Sequence, residues 1–242
     1  MASQSLTAAR VLTALSQGDL ETKGMLPWGS NYTFLVYVNF EDLRLPAVYK
    51  PMRGERPLWD FPDGTLYKRE TAAYVVSEAL GWGFVPPTVA REGEEGPGSV
   101  QFFVDVDSEA HYFNMKEEDK AALMPIVAFD ILANNADRKG GHILRDSQGE
   151  TWGIDHGLCF HTDPKLRTVV WDFAGQPIPD EMLGAMSNFR DLLKPTTELT
   201  GLLSQLLDPD EITMLRRRTE RLIRAGCFPT PGGGRNYPCP PL

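Results

Sequence analysis

The stretch Asn135-Ala136-Asp137-Arg138-Lys139-Gly140-Gly141-His142-Ile143-Leu144, followed by Trp152-Gly153-Ile154-Asp155-His156-Gly157-Leu158, decides how the rest of the chain is read. Asp137 sits with Asn134, Asn135, Arg138 and a glycine pair in a polar loop, directly after an apolar segment and just before a strand candidate. Loops mounted in this way on a rigid frame are where binding and catalytic groups gather. An Asx-type turn, with Asp137 bonded to its own backbone, fits the same residues. Asp155 ends a second strand candidate beside Gly157, which permits an unusual backbone turn. Short strands at 143–145 and 151–154 flank a turn at 146–150, and such a hairpin brings both aspartates to one end of one small sheet. Converging carboxylates suit Mg²⁺, which takes hard oxygen ligands and is commonly held by one or two carboxylates together with substrate phosphates.

Working outward, Leu6, Ala9, Leu12 and Leu15 recur at helical spacing over 5–17 and stop at Gly18. A turn at 27–31 leads into the β-branched and aromatic run 32–38, and 45–50 is the next strand. The pattern predicts a helix over 65–80, then a hairpin of 88–91 with 99–104 around a glycine-containing tip at 93–98. One long helix is expected over 116–134, kinked at Pro125. Asp208-Pro209-Asp210-Glu211 reads as an N-cap, a first-turn proline and a capping box opening a helix over 211–225. Strands come early and helices late, which predicts an α+β fold of two lobes. The expected division is a sheet-rich lobe at 1–105, a mainly helical lobe at 106–228, and a Pro/Gly-rich disordered tail at 229–242. The cleft between lobes is the expected ligand site.

Phosphoryl transfer from ATP requires a cation on the phosphates, a partner that orients it, a carboxylate near the acceptor hydroxyl and a carboxylate on the metal. Lys50 ends a strand in Ala47-Val48-Tyr49-Lys50-Pro51, and Glu70 lies on the helix 65–80, where it can face Lys50. Taken singly, a surface lysine and a solvated helix acid describe them better.

Together, the motifs around Asp137 and Asp155 resemble the catalytic and metal-binding motifs of the phosphatidylinositol 3-/4-kinase family, with a type II phosphatidylinositol 4-kinase flavour and a bacterial branch as the nearest likeness. Val48-Tyr49-Lys50-Pro51, Arg69-Glu70-Thr71-Ala72-Ala73-Tyr74 and Gly98-Ser99-Val100-Gln101-Phe102-Phe103 resemble that family too and keep its order. The resemblance implies a two-lobed protein-kinase-like fold and an ATP-dependent kinase. Lys50 would lie on the ATP phosphates with Glu70 as partner, Asp137 near the acceptor hydroxyl, and Asp155 on Mg²⁺ or Mn²⁺. Residues 101–105, with Gln101, Phe102, Phe103 and Val104, would form the hinge against adenine, and Gly29, Ser30 and Asn31 the turn over the phosphates. The family's second metal ligand is asparagine, where this chain has His142. Neutral imidazole suits softer ions better. Three outcomes stay open: Mn²⁺ preference, a metal held by Asp155 alone, or an inactive nucleotide-binding scaffold. Transfer of AMP on the same fold is a further alternative. The expected acceptor is a hydroxyl of a protein, a small molecule or an inositol lipid. The segment 159–176, which selects the acceptor in such kinases, offers only Lys165 and Arg167 as cations.

Composition narrows the partners. With 33 acidic against 24 basic residues, the formal net charge of −9 disfavours nucleic acid. No apolar run reaches the roughly 20 residues that span a bilayer, so no integral membrane association is expected. Cys159, Cys227 and Cys239 lack metal-ligand spacing, and a cytoplasmic protein with reduced thiols is expected.

Overall fold

The computed structural model describes residues 7–26, 31–106 and 109–242. Helix α1 (Ala8–Gln17) opens at Thr7, whose hydroxyl accepts the Arg10 N–H, and ends at Gly18. A Cβ at Gly18 would meet Val38 Cγ1 at 2.6 Å, so glycine there lets α1 lie close against the sheet. That sheet comprises β1 (Asp19–Met25), β2 (Phe34–Phe40), β3 (Leu43–Pro51), β4 (Thr88–Gly93) and β5 (Gly96–Phe102). The antiparallel order is β1-β2-β3-β5-β4. Along β3 the alternation of the strand buries Leu45, Ala47 and Tyr49 against Val11, Leu15, Val36, Val38 and Val100. Lys50 therefore points to the other face, toward the helical half of the molecule.

Helix α2 (Leu66–Ala79) begins under Glu55, whose carboxylate accepts the Leu66 and Tyr67 N–H groups at 3.1 and 2.8 Å. Its Ala72, Ala73, Tyr74 and Val76 belong to the large second core, with Phe129 and Leu132 of α3 (Met124–Ala133) and Leu215 and Leu222 of α6 (Pro209–Ala225). The helix following β3 is thus packed into the C-terminal half.

The single kinked helix expected over 116–134 is instead two pieces. Residues 117–123 form a 3-10 segment, and the α-helix starts at Met124 with Pro125 in its first turn. Proline lacks the N–H an interior position must donate, and the first turn is where that loss costs nothing. After the hairpin β6 (Ile143–Arg145) and β7 (Thr151–Gly153) come α4 (Asp180–Leu192) and α5 (Glu198–Leu203), which the sequence reading does not include. The capping box at Asp208 and Glu211 opens α6 as expected. The result is the expected α+β arrangement, a sheet-rich N-terminal region followed by a mainly helical one.

Residues 229–242 carry no regular secondary structure. They run along the C-terminal region, where the Thr168 N–H donates to Asn236 O at 3.0 Å and the Gly140 N–H to Pro241 O at 2.8 Å. Pro238 is buried on the way. Among the described residues no helix is long and apolar enough to cross a membrane.

Candidate active site

Five residues from four segments meet between the sheet and the helical region. Lys50 Nζ donates to Glu70 Oε1 at 2.5 Å and to Asp155 Oδ1 at 2.9 Å. Glu70 turns its other oxygen to the His156 N–H at 2.9 Å. His142 Nε2 lies 3.2 Å from Asp155 Oδ2. Burial opposes a charge on Lys50, yet Asp155 and Glu70 outweigh it and hold its pKa above the ordinary value. Lys50 in turn keeps the Asp155 carboxyl well below the usual range. Burial raises Glu70 despite the opposing Lys50.

Asp137 reaches this cluster through a loop built from its neighbours. Asn134, left-handed at φ 53°, ends α3 and donates to His161 O and Asp163 O at 2.9 and 2.7 Å. Asn135, fully buried, accepts the Asp137 N–H at 3.0 Å and donates to Asp130 at 2.9 Å. The Asx-type alternative is therefore realised at Asn135, and the Asp137 carboxylate instead faces Lys139 Nζ at 3.4 Å. Burial raises the Asp137 pKa; Lys139 opposes the shift and Asp155 adds to it.

Arg138 ties this loop to the segment carrying Asp155. It is fully buried, pairs with both oxygens of Asp130 at 2.8 and 2.9 Å, and donates to Ile154 O at 3.0 Å and to His156 Nε2 at 2.7 Å. His156, packed on Phe84 and Phe129, is a structural residue of this network, and burial lowers its pKa. Asn135 and Arg138 stand in the motif as companions of Asp137, whereas Asp130, which both of them bond, is a support that the motif does not include. Its one sequence signal is a charge near the end of an apolar helix.

A divalent ion is what the motifs imply. Asp155 offers a hard carboxylate oxygen and His142 a ring nitrogen; burial pushes His142 down to about 4, so the imidazole is neutral near pH 7. Among the described residues no group of three or more His, Cys, Asp or Glu forms a closed metal cage. A mixed oxygen and nitrogen pair completed by water and phosphate oxygens is a set Mg²⁺ and Mn²⁺ accept, so the residues fit.

No family model matches the chain. It is 41% identical to protein Rv2133c of Mycobacterium tuberculosis, over 93% of each chain. The chain belongs to the family of that protein. A second relative, phosphatidylinositol 4-kinase gamma 4 of Oryza sativa subsp. japonica, is 30% identical over 51% of this chain and 26% of its own length. Among solved structures, the Golgi casein kinase with Mn/ADP bound superposes with a TM-score of 0.57 at 15% identity, covering 90% of this chain and 74% of the other. The fold of this family member is therefore kinase-like. The type II phosphatidylinositol 4-kinase likeness remains a property of the motifs alone.

The remaining expected residues divide within that fold. The Phe102 N–H donates to Pro87 O at 2.8 Å and the Phe103 N–H to Pro46 O at 3.0 Å, while buried Gln101 donates to Thr88 Oγ1 at 2.8 Å. These donors are spent within the sheet, whereas Val104 follows two residues beyond the end of β5. Asn31 Oδ1 accepts the Arg56 N–H at 2.8 Å and braces the loop after β3. Gly29 and Ser30 lie outside the described residues. In the expected acceptor segment, Lys165 is held by Asp60 at 2.8 Å and stands over the Trp59 ring.

Proposed function

We propose that this protein is an ATP-dependent phosphotransferase that moves the γ-phosphoryl group to a hydroxyl. The observation that carries the reading is Lys50, shared between Glu70 and Asp155. A fixed ammonium, its orienting acid and a low-pKa carboxylate at one point are the parts that phosphoryl transfer uses. In this reading Lys50 holds phosphate oxygens and Glu70 fixes Lys50. Asp155 and His142 hold Mg²⁺ or Mn²⁺, and the ion's contribution when bound is to neutralise charge on the phosphates. Asp137 receives the proton of the acceptor hydroxyl, and its raised pKa makes it a better proton acceptor than an ordinary carboxylate. Adenine lies along the end of β5 near Val104.

Engagement of Lys165 with Asp60 leaves Arg167, near Asp137, as the one other cation of that segment, a modest supply for a phosphorylated inositol headgroup, which supports a protein or small-molecule hydroxyl as acceptor. The test is intact-protein mass spectrometry of the chain with ATP and Mg²⁺ or Mn²⁺, with and without added protein acceptors, beside Asp155→Asn. A phosphoryl gain confined to the unmutated chain or its acceptor supports the reading, and an adenylyl gain replaces it with AMP transfer. Nucleotide binding without any gain under all conditions supports a scaffold, for which the His142 and Asp155 contact is the favouring observation.

A further inference from the structure

Next to the site lies a buried charge that the reaction does not use. Arg69 precedes Glu70 on α2 and is 1% exposed. Its Nε lies 3.3 Å from Thr65 Oγ1, one terminal nitrogen donates to Cys159 O at 2.6 Å, and the other to Glu211 Oε1 at 2.5 Å. The guanidinium also stands over the Phe61 ring. Glu211 Oε2 meanwhile accepts the Asp208 N–H that begins α6. One side chain thus connects the helix carrying Glu70, the segment following Asp155, and the start of α6.

That segment does not hold its own shape. Asp155 sits at φ 59° and Phe160 at φ 70°, left-handed values that are uncommon for aspartate and an outlier for a bulky aromatic residue. Such backbone persists only where surrounding bonds over-determine it. Several bonds do so: the Phe160 N–H donates to Ala133 O at 2.5 Å, Leu158 O accepts the Ala136 N–H at 2.9 Å, and two more come from consecutive residues of one helix, Glu70 taking the His156 N–H near one end and Arg69 donating to Cys159 O near the other. A planar guanidinium suits acceptors on three elements at once, a geometry the single ammonium of lysine cannot reproduce.

We infer that Arg69 is a positioning residue that, through Cys159 and Glu211, holds residues 155–160 and the Glu70 helix in one register, so that the Lys50, Glu70 and Asp155 cluster is assembled before any ligand arrives. Its consequence for nucleotide and metal binding rests on the function proposed above; the holding of the segment does not. Removing one partner of a buried, hydrogen-bonded pair leaves a charge stranded, so the effect is large and local.

The experiment compares Arg69→Met, Arg69→Lys and Glu211→Gln with Leu215→Ala, a core truncation at a fully buried position of α6 that keeps the Arg69 pair. Ligand-free hydrogen exchange is read over 155–160 and over α4, together with Mn²⁺-ADP affinity by calorimetry. Arg69→Met should speed exchange over 155–160 by about tenfold more than over α4, and weaken Mn²⁺-ADP binding by about tenfold. Arg69→Lys should fall between it and the parent, and Leu215→Ala should leave the segment no faster than α4. If Arg69→Met does not fold, Glu211→Gln carries the test with a smaller change of the same pattern. Exchange over 155–160 that matches the parent, or rises only as much as in α4, overturns the inference. A parent chain that fails to bind Mn²⁺-ADP while the exchange pattern holds defeats the proposed function and leaves the positioning role standing.

Discussion

Lys50 Nζ stands 2.9 Å from Asp155 Oδ1, so the cation proposed for phosphate and the carboxylate proposed for metal are paired with each other. Binding a metal nucleotide exchanges this internal pair for two external ones. Without nucleotide, the ammonium competes with the metal. Lys50→Met should therefore tighten binding of Mn²⁺ alone by about threefold or more while weakening ATP, each measured by calorimetry. Weaker Mn²⁺ binding in that variant would show that the pair does not compete.

Asp155 combines a charge with a left-handed backbone, and the two can be separated. Asparagine tolerates positive φ far better than alanine. Asp155→Asn should reduce phosphoryl transfer by more than about 100-fold with little change in melting temperature. Asp155→Ala should lose activity and about 1 kcal/mol of stability as well. Equal melting temperatures for the two variants would count against the backbone reading.

Burial holds the Asp137 pKa above the ordinary carboxylate value. Catalysis needs its deprotonated form, so the acid limb of the kcat/KM profile should lie above the usual carboxylate range, with activity falling as pH drops through it. Asp137→Asn should lose transfer by about 100-fold or more and abolish that limb. A limb that survives the substitution assigns the titration elsewhere.

His142 stays neutral in the folded protein because burial pushes it down to about 4, against the pull of Asp155. The unfolded chain takes up this proton near pH 6.5, the folded one only near 4, so stability is lost as pH falls through that window. The full effect is on the order of 3 kcal/mol. In His142→Asn the urea midpoint should vary less between pH 7 and 4. The same variant supplies a harder amide oxygen and should shift preference from Mn²⁺ toward Mg²⁺ by about tenfold. An unchanged metal ratio would place the ring outside the coordination shell.

The cluster in the cleft was legible because Lys50, Glu70, Asp137, His142 and Asp155 each sit in a short motif, and the alternation of β3 alone predicts that Lys50 opposes Tyr49. Arg69 stands in such a motif as well, yet what it bonds was not legible. Its partners Cys159 and Glu211 are remote in sequence, and helical spacing alone does not distinguish it from a solvated arginine. Which backbone donors of 101–105 are free was not legible, because the bonds of the Phe102 and Phe103 N–H groups to Pro87 O and Pro46 O depend on a pairing that only the folded sheet fixes. Helix α4 did carry a signal, since Met182, Met186 and Phe189 recur at helical spacing and are all buried.

The strap formed by residues 236–242 gives the experimenter a handle. Cys239 is exposed while Cys159 is buried, and it lies on the strap close to where Pro241 bonds Gly140. A thiol-reactive dye on Cys239 would sit beside the loop bearing Asp137 and report its movements when nucleotide is added. A purification tag fused behind Leu242 would crowd the same place, so a tag at the other terminus is the sound choice for every assay above.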